Sequence, residues 1–171
     1  MLADHILIAG IGNLFLGDDA FGCEVVRRLL LKSWPARVRI CDFGIRGFDV
    51  AYALMDGYGQ SVLVDAAPRG DAPGTVYLIE PDLAAMADEP PELAPLEGHS
   101  MDPLKVLRLV RTLGGEVQKL FVVGCEPFDF GLAEEGRMGL SPVVAAAVDP
   151  AVALVERLVA EFLNAAPRPA D

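Results

Sequence analysis

Carboxylates follow or end four of the predicted β-strands in this chain. Strand one leads into Asp18 and Asp19, strands two and three end at Asp42 and Asp65, and strand five runs into Glu126. Because ligands of α/β domains bind where the carboxyl ends of the strands meet, we expect these acids along one rim. Carboxylates gathered on one rim repel one another unless a cation lies among them. The pattern predicts a cation site, although each acid taken singly also fits a helix cap or a turn.

The chain has two histidines, and they fall at opposite ends of the predicted sheet. His5 precedes strand one, whereas His99 lies in a loop just before a predicted helix. With Asp19 and Asp65, His99 offers one imidazole and two carboxylates, which leaves positions open for water or substrate. Open positions are typical of catalytic metal sites. Taken alone, a histidine in this position is more often a loop residue or a neighbour of a helix N-cap than a metal ligand.

Two other kinds of site compete with a metal site. The Gly10-Ile11-Gly12 segment after a strand is typical of dinucleotide binding, but the next glycine is Gly17 and two acids follow it. This spacing and charge oppose a bound phosphate. Cys125 and His99 are a possible nucleophilic pair, yet neither lies in a strand–turn–helix elbow. Both alternatives are disfavoured.

The residues named above lie between strands and helices that are predicted to alternate along the chain. This alternation predicts a three-layer α/β/α sandwich with a mostly parallel five-stranded sheet. The predicted strands are 6–9, 38–42, 61–65, 75–79 and 119–123. The predicted helices are 21–32, 48–55, 103–113 and one after Ser141 that Pro150 kinks or restarts. Only nine residues join strands three and four, too few for a crossover helix, so strand four is expected to be antiparallel to its neighbour.

Composition narrows the classes of function. The 171 residues are expected to form one domain, 1–171, with 53% hydrophobic residues and a net charge of −11. Such acidity disfavours nucleic acid and anionic membrane surfaces as partners. No segment is long enough to cross a bilayer, no basic leader is present, and the three cysteines form no CxxC pair. We expect a reduced, cytoplasmic protein that is a monomer or a weak dimer.

Several motifs together resemble one known family, the nickel–iron hydrogenase maturation proteases. The matching segments follow the family's order and span nearly the whole chain. They are 10–22 (GIGNLFLGDDAFG), Val64-Asp65-Ala66, Gly98-His99-Ser100-Met101-Asp102-Pro103, Val123-Gly124-Cys125-Glu126-Pro127 and 140–148 (LSPVVAAAV).

The resemblance implies an α/β/α endopeptidase, of the aspartic type, that removes a C-terminal extension from a hydrogenase large-subunit precursor once nickel is inserted. It also implies that Asp19, Asp65 and His99 contact the metal. The nickel is then supplied by the substrate, and no organic cofactor is expected. Asp42 is a candidate for orienting the substrate or for serving as the general base.

The chain departs from the family at one motif. The family commonly has Asp-Gly-Gly-Thr-x-Gly after the second strand, whereas this chain has Asp42-Phe43-Gly44-Ile45-Arg46-Gly47. The change is consistent with a subgroup that has a different hydrogenase partner. Loops 80–95 and 128–138 are candidate partner-binding surfaces. Two alternative functions are a non-catalytic metallation sensor or chaperone for the precursor, and a freestanding metal-dependent hydrolase.

Overall fold

A five-stranded sheet forms the centre of the protein, in a computed structural model that describes residues 2–85, 103–131 and 135–165. The strands are Ile6–Ile11 (β1), Val38–Gly44 (β2), Gln60–Ala66 (β3), Val76–Ile79 (β4) and Leu120–Cys125 (β5). They lie in the order β2-β1-β3-β5-β4, and every neighbouring pair is parallel except β4–β5. The predicted sheet, mostly parallel with one antiparallel strand, is confirmed.

Helices cover both faces of this sheet. They are Phe21–Leu30 (α1), Gly47–Met55 (α2), Pro103–Thr112 (α3), Pro142–Ala145 (α4) and Val148–Asn164 (α5), with a 3₁₀ turn at Gly17–Ala20 before α1. Apolar side chains of α1 and α5 pack on one face, around Phe21 and Val155. Those of α2 and α3 pack on the other face, around Leu54 and Val106. These two buried layers make the predicted α/β/α sandwich.

Local sequence explains where the strands lie. β1 reads ILIAGI and all six residues are buried, because a central parallel strand has helices on both faces. β2 and β4 are the edge strands, and their side chains are mostly half-buried or exposed. β2 extends to Gly44, two residues beyond the predicted end, since Gly44 pairs with Ile11 after an irregularity in the ladder.

The predicted helix after Ser141 is two helices, α4 and α5, separated by residues 146–147. Pro150 lies in the first turn of α5, where a missing N–H removes no helical hydrogen bond, so it restarts the helix and does not kink it. Ser141 is the residue before α4, as predicted for an N-cap. Its hydroxyl makes no capping bond because it donates to Asp18 instead.

Some expectations fall on residues that the structure does not describe. The proline-rich stretch 80–95 is described only to residue 85, and the predicted tail 165–171 only at Ala165. Among the described residues, no helix has both the length and the apolarity that crossing a membrane requires.

Candidate functional site

Asp19 lies in the 3₁₀ turn that connects β1 to α1. Its Oδ2 atom accepts a hydrogen bond from the Asn13 N–H at 2.9 Å, and this bond holds the start of the β1–α1 connection against its end. The side chain is half-buried, and burial raises the pKa of the Asp19 carboxyl, while the Asn13 N–H opposes the rise. A cation bound beside Asp19 would favour its charged form and offset the loss of hydration.

Two glycines let the turn that carries Asp19 lie directly on the strand ends. Gly12 has a φ of 146°, and a Cβ there would lie 1.8 Å from the Asp19 carbonyl oxygen. A Cβ on Gly22, in the first turn of α1, would lie 2.1 Å from the Val64 carbonyl oxygen. Because Val64 directly precedes Asp65, this close approach brings Asp19 and Asp65 to one stretch of the rim.

Asp65 is the penultimate residue of β3, and only 3% of its surface is exposed. In the sheet it lies beside Gly124 of β5, which lies beside Tyr77 of β4. Side chains in such a row project from one face. The Tyr77 ring fills the space that Gly124 leaves, since a Cβ on Gly124 would lie 2.2 Å from Tyr77 Cε2. The Tyr77 hydroxyl donates to the Ala67 carbonyl oxygen at 2.6 Å, which fixes the chain just after Asp65.

Tyr77 acts as a hydrogen-bond donor at this position. Burial raises the pKa of Tyr77 to about 12, the negative charge of Asp65 adds to the rise, and Arg69 opposes it. The Arg69 guanidinium lies over the Tyr77 ring, 4.9 Å from its centroid. Tyr77 is absent from the residues predicted at the site. The sequence feature that could have indicated it is Gly124. A glycine inside an apolar strand leaves space for a large neighbouring side chain.

Gly124→Ala is expected to disturb the row of residues beside Asp65. The new methyl group overlaps the Tyr77 ring, so we expect the free energy of unfolding to fall by about 1–3 kcal/mol, the usual cost of overpacking. In a Tyr77→Ala background the same change is expected to cost much less, because the ring is gone. Urea unfolding of the four proteins measures this coupling. Equal costs in both backgrounds would show that the ring does not set the requirement for glycine.

His99, the third predicted metal-contacting residue, lies outside the described residues. α3 begins at Pro103, four residues after His99. Because α3 leads into β5, it runs opposite to the parallel strands and begins at their carboxyl rim. It packs on the sheet face that contains Leu63, and Leu63 shares its face with Asp65. The first residue of α3, Pro103, therefore lies on the Asp65 side of the rim.

Asp42 lies on the other face of the sheet. In the sheet Asp42 lies beside Gly10 of β1, which lies beside Val64 of β3, so the Asp42 and Val64 side chains project from the same face. Val64 packs in the core with α1 and α5. The Asp42 Oδ1 atom accepts the Gly44 N–H at 3.0 Å, and its Oδ2 atom is 3.8 Å from Arg27 Nε. Asp42 and Asp65 thus lie near the carboxyl ends of the two strands that flank β1, and they project from opposite faces. Asp42 therefore lies on the face of the sheet that α1 covers, and Asp65 on the face that α2 and α3 cover.

Asp18 does not join the other rim acids, because it is fully buried. Its Oδ2 atom accepts the N–H groups of Phe128 and Asp129, at 2.8 and 2.9 Å. Ser141 donates its N–H to Oδ1 at 2.6 Å and its hydroxyl to Oδ2 at 2.9 Å. Four donors satisfy this carboxylate without a cation. Asp18 therefore fastens the loop between β5 and α4 to the 3₁₀ turn.

The two polar residues at the end of β5 also serve the structure. Glu126 accepts the N–H groups of Arg69 and Gly70, at 2.7 and 3.3 Å, and so fixes the turn after β3. Cys125 is fully buried, and burial raises its pKa to about 12. A thiol that stays protonated at neutral pH is a poor nucleophile. The structure therefore disfavours a Cys125–His99 pair, as the sequence does.

The backbone amides after β1 are already bonded. The N–H groups of Gly17, Asp18 and Asp19 donate to carbonyl oxygens elsewhere in the chain, at 2.7, 3.1 and 3.1 Å. A phosphate-binding turn presents such amides to its ligand. The geometry therefore disfavours a dinucleotide site, in agreement with the glycine spacing.

Within the described ranges, no three Asp, Glu, His or Cys side chains form a group that could hold a metal ion. The proposed trio includes His99, which those ranges omit. The described site is a pair of partly desolvated carboxylates on the rim of an α/β/α sandwich. That combination defines the class of α/β/α proteins with a candidate ligand site at the carboxyl ends of the strands.

Comparison with known proteins identifies the family. The family model for hydrogenase maturation proteases (HycI) matches residues 23–158. The hydrogenase 2 maturation protease of Escherichia coli strain K12 is 30% identical over 171 residues, which covers 97% of this chain and 98% of that protein. A Methanocaldococcus jannaschii protein named as a hydrogenase maturation protease is 34% identical over 158 residues, covering 91% and 96%.

Solved structures agree with this result. The hydrogenase maturating endopeptidase HybD from Escherichia coli matches with a TM-score of 0.72 and 27% identity, over 92% of this chain and 93% of that one. A hydrogenase 2 maturation peptidase from a Thaumarchaeota archaeon matches with a TM-score of 0.69 and 28% identity, over 91% and 98%. The chain belongs to the hydrogenase maturation protease family, and it is an endopeptidase.

Proposed function

We propose that this endopeptidase removes the C-terminal extension of a nickel–iron hydrogenase large-subunit precursor after nickel has been inserted. The observation that supports the proposal most directly is the close approach of α1 to β3 in a member of this family, where a Cβ on Gly22 would lie 2.1 Å from the Val64 carbonyl oxygen. It places the turn that carries Asp19 near the end of β3 that carries Asp65. Asp19 is partly buried and Asp65 almost completely so, and carboxylates that have lost hydration favour a bound cation. The precursor's nickel is the cation that we assign to them, with His99 as the third contact.

In this proposal the nickel belongs to the substrate and reports that the precursor is loaded. A nickel-free precursor brings no positive charge to Asp19 and Asp65, so it gains less affinity than the loaded form. Such differential affinity is what allows a protein to select one of two states. Contact with the nickel also places the adjoining peptide over the rim, which reduces the entropic cost of reaction.

Hydrolysis requires a water molecule to attack the scissile carbonyl carbon while a base accepts a proton from that water. The amine that leaves then takes up a proton. Asp42 is our candidate for orienting the peptide or for accepting the proton. Its fixed position, bonded to the Gly44 N–H and facing Arg27 across 3.8 Å, is compatible with holding a peptide on the far side of β1 from Asp65.

The proposal is tested by incubating the purified protein with nickel-loaded and nickel-free precursor from the same organism. Binding is followed by titration, and cleavage by a decrease in precursor mass. We expect cleavage of the loaded precursor alone. Binding without a change in mass would instead indicate a metallation sensor or chaperone. Cleavage of short unrelated peptides with added nickel would indicate a freestanding hydrolase.

We also propose that the protein acts in the cytoplasm, as a monomer or a weak dimer. The buried, unpaired thiols of Cys23 and Cys125 suit a reducing compartment. Burial raises the pKa of both thiols, which keeps them protonated and unreactive.

A further inference from the structure

Three large apolar side chains are exposed beside Asp19. Phe15 follows β1 and is 61% exposed, while Phe128 and Met138 lie between β5 and α4 and are 66% and 72% exposed. Isolated exposed apolar residues are common, whereas exposed apolar residues gathered on neighbouring segments are typical of a binding surface. We name these three residues the apolar patch.

Backbone hydrogen bonds join the two segments that carry the apolar patch. The Arg137 N–H donates to the Phe15 carbonyl oxygen at 2.7 Å, and the Gly17 N–H donates to the Arg137 carbonyl oxygen at 2.7 Å. Met138 is the next residue after Arg137. The patch therefore spans two segments that are joined by backbone hydrogen bonds, and these bonds hold Phe15 next to the residue that precedes Met138.

The buried Asp18 carboxylate holds the third member of the patch. It accepts the Phe128 N–H at 2.8 Å, so the backbone is fixed while the Phe128 ring remains in solvent. Because the backbone is already ordered, a partner that covers the ring must restrict only the side chain, and this lower entropic cost strengthens binding. The exposure of these rings is thus built into the fold.

The patch continues directly from the proposed site. The Asp19 N–H donates to the carbonyl oxygen of Leu16, the residue after Phe15. Two charged residues beside the patch neutralise each other, since Arg137 Nη1 lies 2.6 Å from Asp129 Oδ2. A surface that is apolar, with its flanking charges paired, suits an uncharged apolar segment better than a charged one.

We infer that the apolar patch binds an apolar stretch of the precursor polypeptide close to the bond that is cut. This inference rests on the proposed function, which brings a polypeptide to Asp19. Aromatic side chains near the centre of an interface contribute much of its affinity. In this arrangement the nickel contact distinguishes nickel-loaded from nickel-free precursor. The apolar patch contributes binding affinity that does not depend on the metal.

The inference is tested with Phe15→Ser, Phe128→Ser and Met138→Ser, each compared with the wild-type protein and with Leu31→Ser. Leu31 is 86% exposed just after α1, at the opposite end of the sheet, and so serves as a matched control. For the two phenylalanine variants we expect Kd and KM for the nickel-loaded precursor to rise by at least about tenfold. The value of kcat and the Tm should stay close to wild type, because uniform binding is lost and not catalysis.

The outcomes separate this inference from the proposed function. If the wild type binds the precursor but does not cleave it, the proposed function fails, while weaker binding by the patch variants still supports the inference. Unchanged Kd and KM in the patch variants would overturn the inference, and so would an equal loss in Leu31→Ser. A wild-type dimer that these variants convert to monomers, seen by light scattering, would also overturn it by showing that a second copy covers the patch.

Discussion

Asp19→Asn and Asp65→Asn are each expected to stop processing of the nickel-loaded precursor while leaving the protein folded. A carboxylate that contacts a divalent ion contributes several kcal/mol, and about 1.4 kcal/mol corresponds to a factor of ten in rate. We therefore expect cleavage to slow by at least about a hundredfold in each variant. The measurement is the loss of intact precursor with time, followed by mass spectrometry.

Glu156→Gln is the matched control, since it removes one carboxylate from α5, away from the rim. Glu156 is paired with Lys32 at 2.6 Å on the surface, and we expect this variant to cleave at the wild-type rate. Normal cleavage by both Asp19→Asn and Asp65→Asn would refute the assignment of the metal contacts.

Thermal unfolding adds a second readout for Asp19. Burial raises its pKa in the folded state, so the folded state binds the proton more tightly than the unfolded chain does. Ionised Asp19 therefore lowers the free energy of unfolding at pH values above its raised pKa. This loss of stability disappears as the pH falls below the pKa that Asp19 has in the unfolded chain. At pH 7 we expect Asp19→Asn to have a Tm equal to or above wild type, with a difference that shrinks on acidification. A lower Tm at pH 7 would indicate that Asp19 stabilises the fold.

Asp18→Asn is expected to have the opposite profile, with a large loss of stability. The amide nitrogen of asparagine would face N–H donors in either orientation, because both carboxylate oxygens of Asp18 accept hydrogen bonds from backbone N–H groups. Hydrogen bonds to a charged group contribute about 1.5–3 kcal/mol each, and an unsatisfied buried donor is costly. We expect the free energy of unfolding to fall by about 3 kcal/mol or more, measured by urea unfolding.

Asp129→Asn provides the comparison for Asp18. Asp129 lies in the same loop, but its ion pair with Arg137 is exposed to solvent. Exposed pairs contribute about 1 kcal/mol or less, so this variant should lose little stability. Equal losses in the two variants would contradict the central structural role that we assign to Asp18.

Asp18 and Asp19 also show where prediction from this sequence ends. The two residues are adjacent, chemically identical and follow the same strand, so no local pattern separates them. Their roles differ because the donors to Asp18 come from residues 110 to 123 positions further along the chain. Tyr77 could not be predicted at the site for the same reason, because its position depends on contacts between distant parts of the chain. It lies in the same sheet row as Asp65 only because β5 lies between β3 and β4.

The parts that were predictable rest on short-range patterns. The apolar run of β1 is long enough for a buried strand, and the short connection after β3 is too brief for a crossover helix. Both features fix fold class without knowledge of distant contacts. The partner of β4 is different: the sequence indicates an antiparallel strand, but only the folded sheet shows that it pairs with β5.

The way in which Asp18 secures the loop after β5 has a consequence for how this protein can diversify. The buried Asp18 carboxylate fixes the main chain at Phe128, Asp129 and Ser141, so the exposed side chains there are not needed to hold that backbone in place. Evolution can replace Phe128 or Met138 with other side chains and keep the backbone hydrogen bonds of these segments, because those bonds do not involve the side chains. If the apolar patch contacts the precursor as we infer, such exchanges would change which precursor is bound and leave Asp19 and Asp65 unaltered.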